Sequence, residues 1–401
     1  MIARLARITR DISLAEELAQ DALVAAIETW PETGVPDNPG AWLVTTGKNR
    51  ALDRLRKRKL VELKHQELGA LAQVTSDAPA FDETMDHDLE DDLLRLVFVA
   101  CHPVLSMDAQ VALTLRMLCG LSTDEIARAF LTTGPTISQR IVRAKRSLSE
   151  AQVAFEVPRG DALAMRTGAV LRVVYLVFNE GYAATTGDDV VRTELCERAL
   201  HLGRLLLSLM PREPEVYGLV ALMEIQASRS AARVAADGQP VLLLDQDRSR
   251  WDRTAITRGL GALVQAHLLG RPRGPYLIQA EIAACHGRAE HAQDTDWARI
   301  AARYAELAAL TPSPVIELNR AVAVSMAEGP AAGLALLDRL SEEPVLSNYH
   351  LLAAARADML LKLNRHDEAC REFERAAAGA THARERAVLL ERAAHCRRSQ
   401  T

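Results

Sequence analysis

The chain has 401 residues, of which 49% are hydrophobic and only 4% aromatic, and its formal net charge is −5. That length suits two or three domains, and an Ala- and Leu-rich, aromatic-poor composition favours helix bundles and helical repeats over β-sandwiches. The negative balance excludes a polyanion binder that works through bulk charge, so any contact with nucleic acid must come from local basic patches.

Ser13-Leu-Ala-Glu16 reads as a capping box, opening a helix that runs to about Trp30 and ends at Pro31, Gly34 and Pro36. Asn38-Pro39 opens the next helix, with Asn as cap and Pro where no N–H is needed. Leu43, Gly47, Ala51 and Leu55 follow at four-residue steps and form its inner stripe. The other faces carry Trp42, Thr45, Thr46, Asn49, Arg50 and Arg54. Lys48 to Lys59 holds seven basic residues against one acid, Asp53. Cations suit phosphates and an aromatic suits an unpaired base. A solvated basic helix with its Trp in the core fits the local pattern equally well.

Charge then reverses. Asp82 to Asp92 holds seven acids and no Lys or Arg, and Gly69–Pro79 has weak periodicity. This stretch reads as an acidic linker. Ser122-Thr-Asp-Glu125 is a second capping box, on a helix with Ile126, Ala127 and Phe130 inside. Thr132-Thr133-Gly134 makes a turn, and Thr136 is placed to cap the following helix. There Ile137, Ile141, Ala144 and Leu148 share one face, while Gln139, Arg143 and Arg146 lie opposite with Arg140 beside them. A packed inner face and an outer face of Gln and Arg suit a DNA major groove. A helical hairpin with a charged exterior is the competing reading. Val157-Pro158-Arg159-Gly160 breaks the helical pattern.

The remaining Ala/Leu-rich region carries two polar clusters, Asn179-Glu180-Gly181-Tyr182 and the run from Pro240 to Trp251 with Asp245, Asp247, Arg248 and Arg250. Either could line a small-molecule pocket, although inter-helix salt bridges and caps are the commoner use of such residues. From Trp297 the pattern repeats. Val315, Leu318, Ala321 and Ala323 lead to Gly329-Pro330 and Leu334–Leu337. Tyr349, Leu352, Ala353, Ala357 and Leu360 lead to Arg365-His366, Ala369 and Phe373. Matching Gly329 to Arg365 gives a period near the tetratricopeptide length of about 34 residues.

The six cysteines, Cys101, Cys119, Cys196, Cys285, Cys370 and Cys396, form no Cys-x-x-Cys pair and read as reduced core thiols of a cytoplasmic protein. Cys101-His102 and Cys285-His286 lack a second pair at ligand spacing, so no metal site is expected. No phosphate loop or nucleophile motif argues for catalysis. No cofactor is expected, and no apolar run is long enough to span a membrane.

The order of the two basic modules resembles a known family. Ala15-Glu-Glu-Leu-Ala-Gln-Asp-Ala-Leu, followed by Asn38-Pro-Gly-Ala-Trp-Leu-Val-Thr-Thr-Gly-Lys-Asn-Arg-Ala-Leu-Asp-Arg-Leu-Arg, resembles region 2 of the sigma-70 family in its extracytoplasmic-function branch. Ile126-Ala127, Gly134, Thr136-Ile137, Arg140 and Arg143-Ala144-Lys145 resemble its region 4 helix-turn-helix. With the fused extension, the layout resembles a subgroup in which such a region is thought to replace a separate anti-sigma protein. Two departures stand out: only Met1–Arg10 precede the match, where relatives have a further helix, so a truncated start is expected; and Ser138 stands where relatives often place Lys or Arg.

The resemblance implies a bacterial, non-enzymatic, all-α promoter-specificity factor. It implies that Glu17, Gln20 and Asp21 bind the RNA polymerase core. Trp42, Thr45, Thr46, Lys48, Asn49, Arg50 and Arg54 would hold the −10 element of promoter DNA, and Thr136, Gln139, Arg140, Arg143 and Arg146 the −35 element. The expected organisation is region 2 at 1–62, acidic linker at 63–92, region 4 at 93–156, a helical connector at 157–292 and tetratricopeptide-like repeats at 293–401, with a protein or small-molecule ligand possible on the extension. The alternative is a helix-turn-helix regulator with a repeat-domain sensor, which leaves the first 60 or so residues unexplained.

Overall fold

The computed structural model describes residues 1–66, 87–130, 132–183, 190–235, 241–342, 349–380 and 383–398. These residues are all-α and fall into two units. One comprises Met1–Glu180 with Glu197–Leu209, and the other Gly181–Cys196 with Met210–Thr401.

The first unit opens with α1 (Ile2–Thr9), α2 (Ile12–Thr33) and α3 (Pro39–Gln66). Leu5, Ala6, Ala15, Leu18, Ala19 and Ala51 form their shared core. The ten residues ahead of α2 thus include a helix of their own, and its Leu5 is fully buried. Gly47 permits a close crossing, since a Cβ there would stand 3.1 Å from Leu5 Cδ1.

The cap of α2 differs from the expected box. Asp11, not Ser13, is the N-cap, and its carboxylate accepts from Ser13 N and Leu14 N. Asp11 has the extended backbone that an N-cap requires. Ser13 is already inside the helix, which leaves Glu16 available elsewhere. The helix also continues through Pro31 to Thr33 before Gly34 ends it at φ 82°. Asn38 caps α3 as the sequence suggests, accepting from Ala41 N at 3.0 Å.

Next come α4 (His87–Ala100), α5 (Met107–Met117), α6 (Thr123–Ala129) and α7 (Gly134–Glu150). Helical structure therefore extends into both ends of the expected acidic linker. Gly69–Pro79, Asp82, Glu83 and Asp86 lie outside the described residues. Asp92 is fully buried rather than solvated, and it pairs with Arg95 at 3.0 Å and with Arg7 of α1 at 3.4 Å. The Ser122–Glu125 box forms as expected: Ser122 N donates to Glu125 Oε2 and Glu125 N to Ser122 Oγ. The cap of α7 is Thr133 rather than Thr136, because Thr133 has the extended backbone and Thr136 N donates to its Oγ1. Ile137, Ile141, Ala144 and Leu148 are buried on one face of α7, as their spacing predicts.

Helix α8 (Asp161–Ala183) begins after Gly160, which turns the chain at φ 58°. Arg166 of α8 donates to Phe98 O of α4 at 2.7 Å and lies 5.8 Å over the Phe98 ring. Within α9 (Val190–Leu209), residues 197–209 also belong to this unit.

The second unit holds α10 (Pro214–Ala227), α11 (Arg253–Leu268), α12 (Pro275–Arg288), α13 (Trp297–Leu310), α14 (Pro314–Glu328), α15 (Pro330–Leu340), α16 (His350–Lys362), α17 (His366–Gly379) and α18 (Ala383–Arg398). From α12 onward each helix packs on its sequence neighbour, which is the local, quasi-linear packing of helical-repeat proteins. The predicted inner residues Leu318, Ala321, Leu334, Leu337, Leu352, Ala353, Ala357, Leu360, Ala369 and Phe373 are buried in one core. Ala323 is buried in a neighbouring core, Tyr349 packs half-buried against this one, and Val315 is in neither core. It stands in the first turn of α14 and is 43% exposed. Gly218 lets α10 approach α12, where a Cβ would meet Leu277 N at 2.5 Å.

All six cysteines are free, and five are buried. Burial pushes the Cys101 thiol up to about 12, so it is a protonated core residue that contacts Thr114. Among the described residues no helix is long and apolar enough to cross a membrane, and no cluster of His, Cys, Asp or Glu could hold a metal ion.

Candidate nucleic-acid interface

Helix α7 presents the outer face expected of it. Thr136, Gln139, Arg143 and Arg146 are exposed, and Arg140 is half-buried. Thr136, Gln139, Arg140 and Arg143 line one cleft of about 390 Å³ with Asp108 of α5. Arg140 is 3.4 Å from Asp108, and Arg146 pairs with Glu150 one turn along at 2.6 Å. Arg143 makes no ion pair among the described residues, so its fork of donors is open to an incoming acceptor. Ser138 is exposed on the same helix.

Helix α3 distributes its candidates over two stripes. Thr45 and Asn49 are exposed, while Thr46 and Lys48 are half-buried. Trp42 is half-buried and packs edge-on against Trp30 of α2, with ring centroids 5.4 Å apart. One side of Trp42 therefore packs while the rest of the side chain reaches solvent. Arg50 donates to Asp21 O at 2.8 Å, and Arg54 donates to Glu17 Oε1 at 2.6 Å. The Arg54 bond holds the Glu17 carboxyl below its usual range. Two residues expected to grip polymerase are therefore joined to two expected to grip DNA. Gln20 stays exposed, and its stripe on α2 continues through the exposed Leu23, Val24 and Ile27. The apolar continuation is visible only once helix faces are known, because Ala-rich neighbours mask its periodicity.

A contact that sequence reasoning missed ties the two modules together. Glu16 of α2 accepts from Arg116 Nε of α5 at 2.8 Å and also from Lys145 of α7. Burial pushes the Glu16 carboxyl up, but the bonds and charges of Lys145 and Arg116 outweigh it and leave the carboxyl below its usual value. A cleft of about 790 Å³ opens beside this contact, with Arg10, Ser13, Lys145 and Phe155 on its walls.

Residues 1–61 match the family model for Sigma-70 region 2, and residues 95–148 match the one for Sigma-70, region 4. Residues 166–267 match a family of unknown function, DUF6596. An uncharacterized protein of Rhizobium meliloti is 45% identical over 387 residues, covering 96% of this chain and 90% of that protein. The chain belongs to the family of that Rhizobium protein. It carries sigma-70 regions 2 and 4, joined to a C-terminal helical extension, and these regions give it a sigma-factor-like role in transcription initiation, with RNA polymerase core and promoter DNA as partners. The crystal structure of yeast Tom70 is similar at TM-score 0.35 and 13% identity, covering 99% of this chain and 82% of that chain, a likeness too slight to bear on the fold.

Proposed function

We propose that the chain is a cytoplasmic sigma factor of the extracytoplasmic-function branch, in the subgroup with a fused C-terminal regulatory extension built of tetratricopeptide-like repeats. The observation that carries this reading is the outer face of α7. Thr136, Gln139, Arg143 and Arg146 are exposed there, on a helix whose opposite face is packed. Groove reading needs that division.

In this reading α7 and Arg140 read the −35 element. Trp42, Thr45, Thr46, Lys48 and Asn49 hold the opened −10 strand by stacking, hydrogen bonds and charge. Arg50 and Arg54 add phosphate contacts while anchored on α2. Glu17, Gln20 and Asp21 dock on core polymerase, supported by the exposed Leu23, Val24 and Ile27. The match of residues 1–61 to Sigma-70 region 2 accounts for the segment that a simple helix-turn-helix regulator leaves idle.

The test is reconstituted transcription. Bacterial core polymerase with the full chain is expected to start RNA at discrete sites on a genomic template library, and the chain is expected to co-purify with core. A chain that shifts duplex DNA but neither binds core nor supports initiation would refute the reading.

A further inference from the structure

Tyr182 and Trp251, one from each polar cluster and about 70 residues apart in sequence, are brought into one group of arginines within the second unit. Arg229, in the turn after α10, donates to Tyr182 Oη at 3.0 Å. Its guanidinium also lies 5.9 Å over the Trp251 ring. Arg248 approaches the same ring at 4.9 Å, and Arg233 lies 3.8 Å over the Tyr182 ring. Three guanidiniums thus gather around two aromatic rings.

Arg229 and Arg248 lack any carboxylate partner among the described residues. Arg248 is 5% exposed, and its bonds all go to neutral acceptors: His286 O and Ala289 O at 2.9 Å and Thr295 Oγ1 at 3.0 Å. Of the acids near it in sequence, Asp247 accepts from Ser249 N, Asp252 caps the N-terminus of α11, and Asp245 is exposed and makes no ion pair with Arg248. Asp294 attracts Arg248 without forming an ion pair. Four buried polar atoms here have no hydrogen-bond partner: Arg229 Nε, Arg248 Nε, Trp251 Nε1 and His286 Nδ1. Burial, with the charges of Arg229 and Arg248, lowers the His286 imidazole to about 4, so it stays neutral and adds no further charge.

The carbonyls that Arg248 reaches lie at the C-terminal end of α12 and offset part of its charge. They do nothing for Arg229. A buried Arg248 and a half-buried Arg229 with no carboxylate partner among the described residues are costly, and their orphaned buried donors add to that cost. A bound anion relieves both at once. We propose that this cluster is a binding site for an oxyanion, the carboxylate or phosphate group of a small molecule, held by the guanidiniums of Arg229 and Arg248 beside the Trp251 ring. Guanidinium forks match both groups bidentately.

Binding here stands apart from promoter recognition, because it is measured on the full chain without polymerase or DNA. The unfolding midpoint is followed against inorganic phosphate and against acetate, with ionic strength held constant by sodium chloride. A ligand that binds the folded state raises the midpoint in proportion to the logarithm of its concentration. The expected result is such a rise for at least one anion, and the stronger of the two identifies the ligand class. Arg229→Gln is expected to weaken the response about tenfold or more, equivalent to about 1.4 kcal/mol. Arg339→Gln, an exposed arginine on α15, leaves it unchanged. Arg229→Lys, which keeps the charge but loses the fork, falls between, and it stands in if the Gln variant does not fold. A midpoint insensitive to both anions, or a response equal to wild type in the Arg229 variants, overturns the proposal.

Discussion

Glu16 and Arg116 meet at 2.8 Å although 100 residues separate them, and Lys145 of α7 completes the contact from a third element. One carboxylate thereby clasps region 2 to region 4. Replacing Glu16 by Gln keeps its shape but removes the charge, leaving two partly buried cations facing a neutral amide. We expect a loss of about 1–3 kcal/mol, below the 3–5 of a fully buried pair because the site is partly hydrated. Urea unfolding of the full chain measures this, and an unchanged midpoint would show that the clasp contributes nothing.

The same carboxyl sets a pH dependence. Its folded value lies below the ordinary 4.5, so its stabilising contribution is complete above that pH and is lost as pH falls through the lower folded value. The distance between dyes on region 2 and region 4 is expected to hold from pH 7 to about 5 and to grow under stronger acid. In Glu16→Gln the acid step in that distance is absent. A wild-type step centred near neutrality would point to a different group.

Arg143 and Arg146 share the outer face of α7 but not the same surroundings. Arg143 has no ion-pair partner among the described residues, whereas Arg146 is engaged by Glu150. Arg143→Ala is expected to weaken binding to a −35 fragment by about 1–3 kcal/mol. Arg146→Ala is expected to cost less, since releasing Arg146 for DNA first breaks an existing bond. Fluorescence anisotropy on one labelled duplex ranks the two, and the reverse order would refute the assignment.

Glycines at helix crossings give a sign test. A Cβ at Gly218 would stand 2.5 Å from Leu277 N and 2.7 Å from Leu277 Cα, and main chain cannot swing aside. Gly218→Ala is therefore expected to destabilise by about 1–3 kcal/mol. Gly261→Ala on α11 meets nothing within 4 Å and should stabilise by about 0.5–1 kcal/mol through helix propensity. Chemical denaturation separates the two, and equal signs would contradict the packing.

Truncation needs a boundary chosen from the structure. The Val157–Gly160 break looks like a natural cut, but Arg166 of α8 bonds to Phe98 O and the buried Val170, Val173 and Val174 follow it. Ending the chain at 160 strips a covering helix from region 4. A 1–160 fragment is expected to unfold at lower urea than a 1–209 fragment. The longer fragment should keep DNA binding while its promoter output differs from that of the full chain. Identical transcription from both would remove the regulatory role of the extension.

What the sequence disclosed depended on the range of the interaction. Ser122–Glu125, Asn38-Pro39 and the stripe Ile137, Ile141, Ala144 and Leu148 are local patterns, and each appears in the structure as read. The caps that went astray, Ser13 and Thr136, each had a competing Asp or Thr two or three residues earlier, and backbone dihedrals rather than composition decide between them. Pairings of Glu17 with Arg54 and of Glu16 with Lys145 depend on how helices cross, which no one-dimensional period encodes. The exposure of Gln139, Arg143 and Arg146 was legible because it is the complement of a packed stripe.

The clasp at Glu16 also bears on how the separate regions behave once cut apart. A region 4 fragment carries Arg116 and Lys145 without the carboxylate that neutralises them in the whole chain. Two cations are thereby uncovered on a domain already meant for DNA. Such a fragment would bind nucleic acid of any sequence more tightly, and with a steeper salt dependence, than the intact protein does. Promoter preferences taken from the isolated domain would understate the discrimination of the full chain.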